Sequence, residues 1–145
     1  MQSLTRVRTL AVLALGLLAA ACGGHDGGTG PSTALDATYS LRRVNHVEIP
    51  AQADLNWGTA GFRDGTFDLY PDGTWEMELH YINVASGEQL SLQDDGDYEM
   101  EGPTLHLSSD EFDDAFDGAM DGKNITIKYD FDGDGAYESD FTFTR

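Results

Sequence analysis

The stretch Thr74-Trp-Glu-Met-Glu-Leu-His-Tyr81 decides the fold class of this chain. Apolar and polar residues alternate along it with a period of two, so that Trp75, Met77, Leu79 and Tyr81 share one parity. Successive side chains of a β-strand point to opposite faces, and the alternation therefore predicts a strand with one buried and one solvent-facing side. An amphipathic helix would instead place its apolar residues three and four apart.

The same period of two recurs from about Asp36 to the C-terminus, and turn signals separate the alternating runs. Clear examples of these signals are Pro71-Asp-Gly73, Asp95-Gly96 and Asp121-Gly122. Glycine accepts positive φ, so an Asp-Gly pair favours a tight hairpin turn. We predict eight strands, of which one is a broken hairpin arm made of two segments: 37–47, 62–70, 74–84, 89–93, 96–101, 104–109, 114–120 with 123–131, and 136–144.

Short, evenly spaced strands joined by hairpin loops predict an all-β domain, an antiparallel up-and-down barrel of about eight strands or a sandwich, and we favour the barrel. The interior of such a barrel either fills with side chains or holds one small ligand. A plain core and a cavity for a small apolar ligand therefore both stay open. The candidate ligand-binding residues are large side chains of the inward parity: Tyr39, Trp75, Met77, Leu79, Tyr98 and Phe141.

The first 21 residues have the pattern of a secretory leader. Arg6 and Arg8 give a basic start, Leu10–Leu18 is an apolar run, and three alanines precede Cys22, the only cysteine. The run is too short for a membrane-spanning helix, which needs about 20 apolar residues. The stretch that ends at Cys22 resembles the lipobox of bacterial lipoproteins. This resemblance implies that Cys22 is acylated, palmitate included, and becomes the mature N-terminus; a plain signal peptide with a chance cysteine is the alternative.

Three segments follow from this interpretation. Residues 1–21 are the signal peptide, residues 22–35 are the acylated cysteine with a flexible Gly-rich linker, and residues 36–145 are the barrel domain. Glycine at the density found after Cys22 is typical of a flexible coil. We therefore expect the domain in the bacterial cell envelope, held to a membrane by its N-terminal lipid and facing the periplasm or the cell surface. With Cys22 committed to lipid, the chain has no disulfide and no thiol nucleophile.

The charge of the chain is strongly acidic. Its 26 Asp and Glu stand against 8 Lys and Arg, a formal net charge of −18, and removal of Arg6 and Arg8 with the leader takes the mature chain to −20. Phosphates are repelled by such a charge, which excludes nucleic acid as a partner. Solubility and cation binding are the two interpretations that remain.

Several passages of the domain combine turn and core residues in a recurring way. They are Tyr39–Asn45 with Ile49-Pro50, Asp64–Leu69, Asp72–Trp75, Gly96–Gly102 with Leu105–Leu107, Asn124–Ile127 and Phe141–Arg145. Together they resemble a family of small secreted bacterial proteins with a lipocalin-like domain. The resemblance covers nearly the whole mature domain and implies a lipocalin-like barrel, and none of the passages has catalytic chemistry.

One acidic loop predicts a cation site. The stretch Asp130-Phe-Asp-Gly-Asp-Gly-Ala-Tyr-Glu138 places carboxylates on Asp130, Asp132, Asp134 and Glu138 around a glycine turn. Calcium takes six to eight oxygen ligands, and alternate acids in such a loop supply several of them. The pattern resembles the Asp-rich loops of integrin-type propellers, which implies bound calcium that braces the loop. The alternative is a hairpin made acidic for solubility.

Signatures of catalysis are missing from the sequence. It has neither a Gly-x-Ser-x-Gly nor a His-Glu-x-x-His motif, and its four histidines are scattered. His80 and His106 fall on the parity opposite to the apolar one, so we expect both on the surface. A pair of catalytic carboxylates stays open, because any two of so many acids can meet in space.

The sequence therefore predicts a lipid-anchored, monomeric, lipocalin-like barrel that acts as a non-catalytic binding or structural module of the cell envelope, with a small apolar ligand as one option. A second hypothesis is an acidic interaction module that meets a protein or envelope partner and carries a calcium-braced loop. A carboxylate-based hydrolase is the third. A hollow barrel would favour ligand binding, and a filled barrel with an exposed apolar patch would favour a partner.

Overall fold

A computed structural model describes residues 35–112, 114–131, 135 and 139–145. All the secondary structure in these ranges is β, in ten strands of one antiparallel sheet. Within the same ranges no helix has the length and apolar character needed to cross a bilayer. The strands are β1 Ala37–Val44, β2 Val47–Glu48, β3 Ala51–Leu55, β4 Gly58–Leu69, β5 Thr74–Asn83, β6 Gln89–Glu101, β7 Thr104–Ser109, β8 Asp114–Asp121, β9 Asn124–Tyr129 and β10 Ser139–Thr144.

Eight of these strands close into a barrel, which confirms the predicted fold. Strands β4 to β10 pair each with the next in sequence, and β1 closes the ring by pairing with both β10 and β4. Two short strands lie beside this ring, β2 against the end of β1 and β3 against the first half of β4. Closure leaves few free sheet edges, which is how small all-β domains avoid unwanted strand pairing.

The predicted number of barrel strands, eight, is correct, but the chain is divided into strands differently from the prediction at two places. Residues 89–93 and 96–101, predicted as two strands, form the single strand β6, and Asp95-Gly96 is not a turn. Gly96 instead permits a close approach, because a Cβ there would lie 1.9 Å from the carbonyl oxygen of Ser108. Residues 114–120 and 123–131, counted as one arm, form the two neighbouring strands β8 and β9 around a turn at Gly122. The two errors offset each other.

Strand β3 and residues 58–61 at the start of β4 were not predicted from the sequence. Ala51, Ala53 and Leu55 do alternate with polar residues, but the small alanines gave a weak apolar signal. They pair with the start of β4, which runs through Asp64-Gly65 with a bulge between Phe62 and Asp64. A bulge bends a strand and lets it continue through residues that otherwise favour a turn.

The lower half of the barrel interior is filled by aromatic rings. Phe67 stacks on Trp75 at a centroid distance of 5.4 Å, and Phe143 lies 5.4 Å from Phe67 on the other side. Trp75 is fully buried, and its indole N–H donates to the carbonyl oxygen of Ser108 over 3.0 Å. The predicted register of β5 is confirmed, because Trp75, Met77 and Leu79 face inward while Glu76 faces solvent.

The barrel has two ends, which we call the lower rim and the upper rim. The lower rim carries the turns after β4, β6 and β8, and the upper rim carries the connections after β3, β5, β7 and β9. The chain enters at the lower rim, where the backbone N–H of Leu35 donates to the Tyr98 hydroxyl over 2.9 Å. That hydroxyl donates in turn to the carbonyl oxygen of Tyr70 over 2.9 Å. Tyr98 therefore fastens the entering chain to the wall of the barrel.

Candidate functional site

The six interior residues predicted as ligand contacts all lie in the buried core. They belong to four different strands, β1, β5, β6 and β10, and several of them meet other rings across the interior. Phe141, for example, lies 5.1 Å from Phe62 with the two ring planes nearly perpendicular. Each of the six is at most 7% exposed: Tyr39, Trp75, Met77, Leu79, Tyr98 and Phe141.

The backbone pairing between β8 and β9 stops partway up the wall of the barrel. Their ladder starts at the lower-rim turn and ends at the pair Gly118 and Ile127. The ladder between β7 and β8, in contrast, continues up to Ser109 and Asp114. We call the upper part of this boundary, residues 114–117 facing 128–131, the seam. Two concavities of the described structure meet at the seam, and Phe116 lines both.

A buried carboxylate lies beside the seam inside the barrel. Asp94 of β6 is 2% exposed and accepts hydrogen bonds from the Ser109 hydroxyl and the Tyr129 hydroxyl, each over 2.7 Å. The Ser109 oxygen also accepts from the backbone N–H of Phe112 over 3.1 Å. A buried charge is tolerated only when such donors replace its lost water. Ser109 and Tyr129 thus hold Asp94 and join β6, β7 and β9 at the upper rim.

Asp94 escaped the sequence analysis, although a signal for it exists. It occupies the inward parity of β6 together with Leu92, Gly96 and Tyr98. A charged residue at an inward position breaks the alternation, and such a break marks either a wrong register or a functional site. The false turn at Asp95-Gly96 hid this break, because it placed Asp94 in a connection.

The environment of Tyr129 keeps its phenol protonated. Burial raises the pKa of the Tyr129 hydroxyl far above its usual range, and the hydrogen bond to Asp94 raises this pKa further. The negative charge of Asp130 acts in the same direction. Tyr129 therefore stays a neutral hydrogen-bond donor at any ordinary pH, and its ring carries no net charge.

The first concavity, which we call the rim pocket, opens at the upper rim and has a volume of about 230 Å³. Three aromatic rings stand around it. The ring of Tyr129 lies 6.1 Å from Phe112 and 5.4 Å from Phe116, with an interplanar angle of 78° in both pairs. Its lining residues are Ser109, Phe112, Asp114, Phe116, Tyr129, Asp130 and Gly135.

Asp130, the one predicted calcium ligand that the structure describes, lies in the wall of the rim pocket. It is 8% exposed, and its Oδ2 accepts a hydrogen bond from the backbone N–H of Gly135 over 2.6 Å. The other three predicted ligands, Asp132, Asp134 and Glu138, lie outside the described residues, as does the predicted lipidation site Cys22. The described part of the chain contains no group of three His, Cys, Asp or Glu arranged to hold a metal ion.

The second concavity, which we call the outer groove, has a volume of about 610 Å³ on the outside of β6 to β9. His106 crosses it, with Nδ1 2.7 Å from Asp117 Oδ1 and Nε2 3.6 Å from Glu101 Oε2. The hydrogen bond to the Asp117 carboxylate raises the pKa of His106. The groove is lined by Asp97, Tyr98, Glu99, His106, Leu107, Ser108, Ala115, Phe116, Asp117 and Lys128.

His80 repeats this arrangement on the outside of β4 and β5. Its Nδ1 lies 2.6 Å from Asp64 Oδ1, and its Nε2 lies 3.3 Å from Glu78 Oε1. The hydrogen bond to Asp64 raises the pKa of His80. Both histidines are thus on the surface, as their parity predicted. In each case the two carboxylates flank opposite sides of the ring, so they do not converge with it on one point.

Carboxylates also stand directly opposite each other across three strands of the outer face. Asp68 pairs with Glu76, and Glu76 pairs with Asp95 on the next strand. Such neighbours lie about 5 Å apart between Cβ atoms, so their charges repel. Hydroxyls donate to two of them: that of Thr38 to Asp68, and that of Tyr70 to Glu76 over 2.9 Å.

The chain was compared with known proteins in three ways. No family model matches it, no curated protein matches it, and no solved structure matches it. What the two concavities can do chemically therefore follows from their own side chains. The rim pocket combines ring faces and carboxylates, with no Lys or Arg among its described lining residues, and the outer groove combines carboxylates with one lysine and one histidine.

Proposed function

We propose that the protein is a lipid-anchored, non-catalytic binding module of the bacterial cell envelope that holds a small ligand in the rim pocket. The observation that carries the proposal is the composition of this pocket, in which aromatic walls stand beside polar groups that are themselves buried and hydrogen-bonded. Small-molecule sites are concave and place a few fixed polar groups beside hydrophobic and aromatic side chains. The mouth of a barrel is a common place for them.

The position of the pocket favours the upper rim over the barrel axis as the binding place. A small apolar ligand on the axis would compete for space with packed rings such as Trp75, Phe67 and Phe143. Displacing well-packed core side chains costs several kcal/mol, typically about 3–5 for a large aromatic residue. A ligand in the rim pocket displaces water instead.

Two features support a non-catalytic role. The Ser109 hydroxyl donates to the carboxylate of Asp94 and not to an imidazole, so Ser109 does not form the Ser–His pair of the common serine hydrolases. The described imidazoles of His46, His80 and His106 are 82%, 47% and 46% exposed on the barrel surface, with carboxylates as their ion-pair partners.

Native mass spectrometry of the protein purified from its own host, after removal of the lipid, tests ligand binding. We expect a co-purifying small molecule on the wild type and its loss in Phe112→Ala. Trp57→Ala is the matched control, since Trp57 is another partly exposed aromatic residue of the upper rim that does not line the pocket. A wild-type protein that carries no bound species, or a Phe112→Ala protein that retains it, contradicts the proposal.

Membrane anchoring is proposed from the lipobox-like sequence, and Cys22→Ser tests it. Acyl chains gain about 0.8 kcal/mol for each buried methylene, so a protein with two or more chains stays on the membrane. The serine variant has no thiol to acylate and should appear in the soluble fraction. A variant that sediments with membranes as the wild type does would show that another feature anchors the chain.

The outer surface favours a second candidate, an acidic interaction module for a basic protein or envelope partner. The outer groove carries Asp97, Glu99 and Asp117, and the facing carboxylates of β4, β5 and β6 continue the negative surface. Electrostatic complementarity of this kind raises association rates and depends on salt. Capture of a basic partner that weakens with salt and with Glu99→Gln plus Asp117→Asn would support this role.

A further inference from the structure

We propose that the rim pocket binds a small organic cation through a methylated ammonium group, an inference that rests on the pocket function proposed above. Three features converge there: ring faces, carboxylates in the lining, and a buried carboxylate behind one of the rings. Each of them favours a positive and poorly hydrated group.

The aromatic walls provide the first argument. Tyr129 stands nearly perpendicular to both Phe112 and Phe116, at centroid distances of 6.1 and 5.4 Å. The three rings thus form adjoining walls of one pocket rather than a flat stack. A ring face attracts a cation within about 6 Å of its centroid, and several faces around one site recognise quaternary ammonium groups.

Charge provides the second argument. Asp114 and Asp130 line the pocket, and Asp94 lies directly behind Tyr129, whose hydroxyl donates to it over 2.7 Å. A phenol that donates to a carboxylate gains electron density on its ring, which strengthens the attraction of that ring for a cation. Asp94 therefore acts on the pocket through Tyr129 without reaching the ligand.

The same features disfavour the other ligand classes. An anion would meet the carboxylates Asp114 and Asp130 without a Lys or Arg from the described lining. A bare calcium ion takes six to eight oxygen ligands, whereas three of the seven described lining residues present aromatic rings. A neutral apolar molecule would gain no attraction from the negative charge of the lining carboxylates.

Choline and its neutral carbon analogue, 3,3-dimethyl-1-butanol, are probes of nearly equal shape that differ in charge. Their affinities for the full lipidated protein in a non-ionic detergent can be measured by calorimetry at constant ionic strength. We expect choline to bind about tenfold more tightly than the neutral analogue, the difference that cation–π and carboxylate attraction supply at a half-exposed site.

Substitutions in the pocket separate the contributions. Phe112→Leu keeps an apolar side chain but removes a ring face, and should weaken choline about tenfold while changing the neutral analogue by less than about twofold. Asp114→Asn, at an exposed position outside the core, should weaken choline alone. Trp57→Leu removes an upper-rim ring outside the pocket and should change neither affinity. Thermal melting of each variant checks that the fold is intact.

The outcomes distinguish this inference from the proposed function. Equal affinities for both probes, each weakened by Phe112→Leu, would overturn the cation class and leave a neutral-ligand pocket. If neither affinity responds to Phe112→Leu or Asp114→Asn, the rim pocket is not the site and both proposals fail. Displacement of choline by calcium but not by sodium, at the same ionic strength, would assign the pocket to a metal and overturn the inference.

Discussion

The lower and upper halves of the barrel use the same strand, β6, in opposite ways. In the lower half, Gly96 has no side chain, so the carbonyl of Ser108 occupies the space that a Cβ would need and accepts a hydrogen bond from the indole of Trp75. Two residues earlier on the same face, Asp94 pairs with Met77 and brings a carboxylate into the interior. The lower half, which we call the sealed half, is therefore closed by packing around Gly96. The upper half, which we call the polar half, adds the hydrogen-bonded carboxylate of Asp94 to packed rings such as Phe62 and Phe141. Two successive inward positions of one strand, Gly96 and Asp94, are thus enough to place a polar site next to a packed core.

The largest expected effect tests the sealed half. Trp75→Ala should destabilise the fold by about 3–5 kcal/mol, because it removes a fully buried ring from contact with Phe67 and Phe116. Glu76→Ala, one residue away on the outer face, should change stability by less than about 0.5 kcal/mol. Chemical denaturation measures both. Equal losses of unfolding free energy in the two variants would contradict the assignment of Trp75 to the packed interior and of Glu76 to the outer face.

Calcium tests the acidic stretch 130–138, which contains the predicted ligands Asp130, Asp132, Asp134 and Glu138. An ion that binds only the folded chain stabilises it by about 2.7 kcal/mol at a hundred times its dissociation constant. Millimolar calcium should therefore raise the melting temperature at constant ionic strength, and Asp132→Asn with Asp134→Asn should abolish the rise. If magnesium acts as well as calcium and the double variant still responds, the effect is general screening of acidic charge.

The hydrogen bond between Tyr129 and Asp94 tests how the polar half is held together. Tyr129→Phe should cost about 1–3 kcal/mol, since it removes a donor from a buried carboxylate. Tyr70→Phe is the control, because the Tyr70 hydroxyl makes a similar bond to the carboxylate of Glu76 on the exposed surface and should contribute less than about 1 kcal/mol. In an Asp94→Asn background the cost of Tyr129→Phe should shrink. An undiminished cost there would show that the two side chains act independently.

The smallest effect concerns the surface histidines, which belong to neither interior half. Neighbouring carboxylates raise the pKa of His80 and of His106 in the folded state. A raised folded pKa stabilises the fold below the unfolded pKa of about 6.5, and this contribution disappears as pH rises through the folded value. Melting temperature should therefore fall slightly from pH 6 upward. The melting temperature of the double variant His80→Gln with His106→Gln should fall less over the same pH range. A pH profile identical to that of the wild type would show that the two histidines do not cause the fall.

Much of the fold could be predicted because alternation is a local property. Trp75, Met77 and Leu79 face inward as expected, since a strand with one wet side must place every second residue in the core. The role of Gly96 could not be predicted in this way. The sequence of an Asp-Gly pair is the same in a turn and inside a strand that another backbone approaches closely. At Gly96 only the carbonyl of Ser108, twelve residues later in the chain, makes glycine necessary.

The site was harder to predict than the fold for the same physical reason. The rim pocket joins residues from the ends of β7, β8 and β9, and its rings meet only after the barrel has closed. Asp130 was singled out, but as part of a loop pattern rather than as the wall of a pocket. Phe112 and Phe116 were not singled out at all, because no local period relates them to Tyr129.

The fastening of Leu35 at the lower rim has a mechanical consequence. A pull that arrives through the N-terminus acts along β1, which is hydrogen-bonded to β4 on one side and to β10 on the other. The bonds of an antiparallel pair run perpendicular to the strands, so such a force loads many of them together in shear instead of peeling them apart in turn. Tension on a tether would thus be carried by the wall near its point of entry, while the opposite rim stays free of load.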